Sequence, residues 1–242
     1  MEPSLDTITQ ERLRGFWDTQ AHKYVQRTDA GFLLPPEFLP QPGERVLDAG
    51  CGAGSHLGLY RAITPGVVGL DFSASMTRAA RHLADTVQGD VQRLPFRDGQ
   101  FDFVSSWGVI SHVLDSHRAL TELARVTKGG GRVLVVLSNR LSFLAPMRIV
   151  MIRLGKYTLG ACRHYTLSTL RAEAAPLGLS VLDARALAKP PTAANPLRAI
   201  PARLGHLLDE SVRRVYALWG GDLVVLFEKA DRAQPARARR CG

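Results

Sequence analysis

Asp48, Gly50, Gly52 and Gly54 close a short apolar run, Val46-Leu47-Asp48-Ala49-Gly50-Cys51-Gly52-Ala53-Gly54. Glycines at alternate positions behind apolar residues suit a buried strand that ends in a turn whose backbone approaches a ligand closely. A dinucleotide fingerprint would need its third glycine at position 55, where the chain has Ser55, so that a helix could face a pyrophosphate. An acid two positions before the first glycine would also repel a diphosphate. It suits a ligand carrying an ammonium or sulfonium charge.

Further acids follow at telling intervals. Asp71 ends the run Val67-Val68-Gly69-Leu70-Asp71, 21 residues after Gly50, the interval at which a carboxylate takes two hydrogen bonds from a ribose diol. A turn aspartate capping the helix that begins near Ser73 to Ser75 fits the same spacing, with Ser75 able to do the capping and leave Asp71 free. Phe72 suits either an adenine face or the core. Asp90 follows Val87-Gln88-Gly89 and reads either as a loop aspartate or as the third acid or turn at the C-terminal end of successive strands, where open α/β sheets bind ligands. His112 is the best-placed titratable residue, since an imidazole near pH 7 takes a proton from a phenol or hydroxyl; the other reading is a structural role.

From Val46 to Gly54 the sequence resembles the class I S-adenosylmethionine-dependent methyltransferases, within them the small-molecule group that includes the ubiquinone and menaquinone biosynthesis enzymes. The likeness covers about residues 10 to 138 well and the remainder weakly. It implies S-adenosylmethionine as cofactor and S-adenosylhomocysteine as product. On that resemblance, Asp48, Gly50, Cys51, Gly52 and Gly54 wrap the amino-acid part, and Asp71 holds the ribose with Phe72 and Met76 beside it. Asp90 accepts from the adenine amino group while the backbone of Val91 faces the ring, and the strand end from Ser105 to Gly108, with Ser106 and Trp107 in it, forms the floor beneath the methyl group. The N-terminal segment lies across the pocket, with Tyr24 helping to cover the ligand; by periodicity alone Tyr24 is an aromatic anchor of an amphipathic helix. His164 and Tyr165 look into the acceptor pocket. Methyl transfer is an in-line displacement at a sulfonium-bound carbon, so alignment supplies much of the rate. A base such as His112 is needed only where the nucleophile keeps its proton. No metal is implied, because His and carboxylates do not cluster at ligand spacing.

Positioning these residues requires a regular scaffold. The pattern predicts a helix over 5–28, a proline-stiffened connection from Pro35 to Pro42, a short helix to about Tyr60, and a strand over 67–71. A helix over 76–83, strands over 87–91 and 101–107, and a helix over 118–127 stopped by Gly129-Gly130-Gly131 follow. The continuous Val and Leu of 132–137 suit a parallel strand covered on both faces. A helix capped by Thr166 or Ser168 ends at Leu177-Gly178, and strands over 179–187 and 222–229 complete the set. The expected fold is α/β and Rossmann-like: a seven-stranded, mostly parallel sheet with helices on both faces, the last strand antiparallel by resemblance. Residues 1–42 are read as cover helix and linker, 43–230 as the domain with helical lid insertions at about 140–165 and 196–219, and 231–242 as a disordered basic tail.

Charge is divided unevenly. Residues 1–138 hold 14 Lys and Arg against 15 Asp and Glu, whereas 139–242 hold 17 against 7, so the net +9 belongs to the second half. Arginines on the apolar stretch from Leu141 to Leu154 suit a substrate lid, a helix touching a membrane surface or a greasy acceptor, or plain packing. The three cysteines show no CxxC spacing, which fits a reducing cytoplasm. Met1 to Gln10 lacks the apolar core of a signal peptide, and no stretch reaches the length of a membrane span. The favoured activity is methyl transfer to a small-molecule or lipid-like acceptor. The alternatives are an RNA methyltransferase using the basic half and a non-catalytic cofactor-binding scaffold. Against RNA stands Ser106-Trp107-Gly108, where nucleic-acid amino methylating enzymes of similar fold carry Asn/Asp-Pro-Pro-aromatic.

Overall fold

The computed structural model describes residues 10–25, 34–140, 163–187 and 222–231, with the backbone alone for 20–25 and 187. Seven strands form one sheet: β1 (Val46–Ala49), β2 (Val67–Asp71), β3 (Asp85–Gln88), β4 (Phe101–Trp107), β5 (Thr127–Ser138), β6 (Leu179–Leu187) and β7 (Asp222–Lys229). Their order is β3-β2-β1-β4-β5-β7-β6. The first five are mutually parallel, and β7 lies between β5 and β6, antiparallel to both. This is the expected Rossmann-like arrangement. The order reverses at β1, so the crevice beyond the carboxyl ends of β1 and β4 is where such a sheet takes a ligand.

Alternation along the strands builds two cores. Leu47, Ala49, Val104, Val133 and Val135 face one side with Leu120, Leu123 and Ala124 of helix α4 (Ser116–Val126). Val46, Phe103, Leu134 and Val136 face the other with Leu57 and Tyr60 of helix α2 (Leu57–Ile63). A period of two sends neighbouring residues to opposite faces, and both faces are covered, which is why β1 has no polar side except Asp48. Each large aliphatic side chain so buried contributes about 1.5–3 kcal/mol. The remaining described helices are α1 (Gln10–Val25), α3 (Ala74–Ala80) and α5 (Leu167–Ala174). Thr166 and Thr169 form a reciprocal cap on α5, and Gly178 ends the following 3₁₀ turn at φ +75°.

Three local expectations give way. Gly129-Gly130-Gly131 does not stop α4; Thr127 does, in an extended conformation with its hydroxyl donating to the Leu123 carbonyl at 2.7 Å. The glycines are part of β5, in an irregularity between the pairs Phe101–Thr127 and Phe103–Arg132. A Cβ on Gly131 would come within 2.9 Å of the Asp102 carbonyl oxygen, and Gly130 has φ +74°, so crowding and backbone sign require glycine there. β3 spans Asp85–Gln88, which leaves Asp90 and Val91 in the loop beyond it, and α3 ends at Ala80 short of Leu83. Most of both lid insertions, the helix proposed over Leu141 to Leu154, and the tail from 232 lie outside the described residues.

Candidate functional site

The glycine turn is fixed by packing on two of its glycines and open at the third. Gly50, Gly52 and Gly54 have φ of +88°, +55° and +93°, a region that costs a side chain about 1–2 kcal/mol. A Cβ on Gly50 would lie 2.1 Å from Val109 Cγ2, and one on Gly54 2.7 Å from Leu83 Cδ1. At Gly52 it would meet nothing within 4 Å. The N–H groups of Gly50 and Cys51 both donate to the Leu70 carbonyl, at 2.6 and 2.9 Å, which hangs the turn on the end of β2.

Asp71 ties the same turn to α3. Its Oδ2 accepts from the Gly52 N–H at 2.8 Å and its Oδ1 from the Ser73 N–H at 2.9 Å. Burial pushes its carboxyl above the usual range while backbone N–H bonds from Ser73, Gly52 and Phe72 oppose the shift. The cap of α3 is Ser73, whose hydroxyl accepts from the Met76 N–H at 3.2 Å. Asp71 is therefore engaged with backbone donors instead of standing free behind a Ser75 cap, although each carboxylate oxygen keeps accepting capacity.

Asp48 is fully buried on β1, in parallel register with Ser105 of β4. In-register neighbours share a face, and Ser105 Oγ donates to Asp48 Oδ1 at 2.8 Å. The other oxygen, Oδ2, has no hydrogen-bond partner. Burial raises the carboxyl to about 7, with Ser105 opposing and nearby Asp71 reinforcing the shift. On the same face Tyr60 packs edge-on against Phe103 and accepts from Trp107 Nε1 at 2.9 Å. His56 stacks on Trp107 with ring centroids 3.8 Å apart, and burial lowers its imidazole to about 4.

Helix α1 crosses the mouth of this region with one stripe of side chains. Gln10 Nε2 donates to Asp90 Oδ2 at 3.0 Å, and Arg14 sits 4.5 Å over the Phe72 ring. Trp17 meets His112 edge-on at 5.6 Å. Asp18 accepts from the Ser73 hydroxyl, from Ser75 Oγ at 2.9 Å and from the Ser75 N–H at 3.4 Å. These bonds, Ser73 first, hold the Asp18 carboxyl below its ordinary range. The spacing 10, 14, 17, 18 is that of one helical face. Tyr24 belongs to α1, but its side chain lies outside the described residues.

The other predicted positions distribute as follows. Asp90 accepts from the Gln92 N–H at 2.9 Å, and Val91 is buried beside it in the core. Met76 is buried on α3, Ser106 is buried on β4, and Cys51 is a buried thiol that desolvation pushes far up. His112 lies in a 3₁₀ turn, Ile110–His112, directly after β4. Tyr165 is a core residue only 5% exposed, with its backbone bonded to Ser138 and Arg140 at the end of β5. His164 beside it keeps partial exposure. Among the described residues no group of three or more His, Cys, Asp or Glu is placed to hold a metal ion, and no helix is long and apolar enough to cross a membrane. Gln10, Asp18 and Tyr60 are not among the positions expected from the sequence, and the four-residue step from His56 to Tyr60 is the available signal for the last of them. Ser105, expected at the floor beneath the methyl group, bonds Asp48.

A parallel sheet with a glycine turn and acids at the ends of β1 and β2 defines a nucleotide-cofactor domain of the doubly wound class. Residues 47–135 match the family model described as "Methyltransferase domain", and this stretch belongs to the class I S-adenosylmethionine-dependent methyltransferases. A malonyl-[acyl-carrier protein] O-methyltransferase of Erwinia billingiae is 36% identical over 137 residues, which is 54% of this chain and 55% of its own. A demethylmenaquinone methyltransferase of Renibacterium salmoninarum is 37% identical over 112 residues, 45% of this chain and 47% of its own. The chain thus spans about half the length of these curated relatives. In fold it is similar to a chain in the complex between the Haloferax volcanii Trm112 methyltransferase activator and the putative methyltransferase, with TM-score 0.65, 20% identity, and 88% and 97% of the two chains covered.

Proposed function

We propose that this chain transfers a methyl group from S-adenosylmethionine to a small-molecule or lipid-like acceptor, chiefly by positioning. The observation that carries the reading is the unpartnered, fully buried Asp48 Oδ2 under a glycine turn that is open at Gly52. A buried carboxylate oxygen without a donor costs folding free energy, and a ligand with an ammonium group removes that cost. The residues therefore fit the cofactor. Asp48 and the turn from Gly50 to Gly54 would hold its amino-acid end, Asp71 the ribose, and Asp90 with Val91 the adenine. Phe72, Met76, Ser106, Trp107 and Tyr24 would complete the walls. The cofactor supplies an electrophilic methyl carbon on a sulfonium.

The chain's own residues orient the partners and exclude water. Trp107 ends β4 and His112 follows it, so both stand at the end of the sheet where the acceptor would approach. His112 would take a proton from an acceptor hydroxyl or phenol, with Trp17 covering one edge of its ring. His164 and Tyr165 are the candidates for acceptor contact. The names of two relatives, one acting on malonyl-[acyl-carrier protein] and one on demethylmenaquinone, support an acceptor of small-molecule or lipid-like kind. A cytoplasmic location is part of the same reading.

The test is calorimetric titration of S-adenosylmethionine and S-adenosylhomocysteine into the wild type and Asp71→Ala. Micromolar binding that the variant loses is the expected result, and it leads to a screen of acceptors with labelled methyl groups. Wild type that binds neither compound, with or without candidate acceptors present, refutes the reading.

A further inference from the structure

Helix α1 touches the groups that the proposed reading assigns to adenine. Asp90 Oδ1 is occupied from within its own loop, by the Gln92 N–H at 2.9 Å and by Gln92 Nε2 at 3.1 Å. Its Oδ2 accepts from Gln92 Nε2 at 3.2 Å and, from outside the loop, from Gln10 Nε2 at 3.0 Å. A carboxamide NH2 is a planar, neutral donor, the same hydrogen-bonding group as the amino group of adenine. One turn further along, the Arg14 guanidinium lies 4.5 Å over the centroid of the Phe72 ring, and a ring face so covered has no room for a stacked base. A single helical stripe thus supplies both an amino donor for Asp90 and a planar group for Phe72. Asp18 fastens that stripe to the start of α3: its carboxylate accepts from the Ser73 hydroxyl and from Ser75 Oγ at 2.9 Å. Gln10 and Arg14 are exposed, so water competes with both of their contacts and a ligand can displace them.

We propose that α1 is an autoinhibitory strap: Gln10 on Asp90 and Arg14 on Phe72 stand where an adenine would, so the adenosine end of the cofactor binds only when this part of α1 lifts. The proposal rests on the methyltransferase reading for the identity of the ligand and on geometry for the strap. A helix that only closes over a bound cofactor behaves in the opposite way, because the ligand adds contacts to it. Competition is reciprocal. The factor by which the docked strap weakens the ligand is the factor by which the ligand weakens docking of the strap.

The test titrates S-adenosylhomocysteine by calorimetry into wild type, into the double variant Gln10→Ala with Arg14→Ala, and into Thr19→Ala. Thr19 is the control, since it lies on the far side of the helix from the stripe and its hydroxyl bonds the Phe16 carbonyl within α1. The double variant should bind about tenfold more tightly than wild type, the combined effect of one hydrogen bond to a carboxylate and one exposed cation–π contact. 5′-Methylthioadenosine, which keeps the adenosine end alone, should gain by the same factor, and Thr19→Ala should bind as wild type does. If the double variant does not fold by circular dichroism, Gln10→Ala alone reads the Asp90 contact, with about a fivefold gain expected. In wild type, saturating S-adenosylhomocysteine should speed amide exchange along residues 10–19 by about tenfold, as reciprocity requires. Binding by the double variant that is equal to or weaker than wild type, or exchange along α1 that slows with ligand, overturns the strap and leaves the methyltransferase reading standing. Binding of neither compound to any of the three forms refutes that reading, and the strap with it.

Discussion

Gly50→Ala separates the backbone requirement of the turn from its packing requirement. At φ +88° an alanine enters the left-handed region at about 1–2 kcal/mol. Its Cβ would also lie 2.1 Å from Val109 Cγ2 and 3.1 Å from Val109 Cβ and Cγ1, where carbon atoms rest at about 3.5–4.0 Å. One side must move by more than an ångström, and Val109 leads directly into the buried Ile110. Overpacking of this kind costs about 1–3 kcal/mol. The loss should therefore total about 2–5 kcal/mol, against about 5–15 for a whole domain. Urea denaturation measures it directly. Val109→Ala in the Gly50→Ala background should recover the packing share and leave the backbone share of about 1–2 kcal/mol. Gly52→Ala, with open space around its Cβ, should cost about 1 kcal/mol in stability. The reasoning is refuted if Gly50→Ala stays within about 0.5 kcal/mol of wild type, or if the double-mutant cycle shows no coupling with Val109.

Two further outcomes follow from the site's electrostatics and its cover helix. Asp48 is raised by burial from 3.8 to about 7, so its contribution to stability is fully present below about pH 4 and is lost as pH rises through 7. The amount is roughly 4 kcal/mol at 1.36 kcal/mol per pH unit, and Asp48→Asn should flatten that slope in urea denaturation at stepped pH; an unchanged slope would mean that another group is responsible. Asp18→Ala removes three bonds between α1 and the start of α3 at a half-buried site. Global stability should change by less than about 1 kcal/mol, while amide exchange along α1 accelerates at least roughly tenfold as the helix undocks; unaltered protection there would show that Arg14 and Trp17 hold α1 without it.

Much of the scaffold was legible because its signals are local. The runs Val67–Asp71, Phe101–Trp107, Leu179–Leu187 and Asp222–Lys229 are strands with the bounds that hydrophobic pattern and turn residues set. The Gly129-Gly130-Gly131 stretch misled because glycine signals both a helix stop and a crowded strand irregularity, and only the neighbouring Asp102 carbonyl and Asp231 distinguish them. The position of Tyr165 before α5 is visible in the chain, whereas its burial depends on the end of β5 folding over it.

The sequence by itself determined that Asp48 precedes three glycines whose spacing admits a close-approach turn and rejects a diphosphate, and that Asp71 ends the next strand. Those properties follow from backbone freedom and charge sign, which each residue carries alone. Only the tertiary structure decided that Asp48 keeps one oxygen without a partner, that Ser105 braces the other, and that one stripe of α1 reaches Asp90, Phe72, Ser73 and His112. Hydrogen bonds between residues 57 or 80 positions apart depend on strand register and helix docking. No local pattern encodes either.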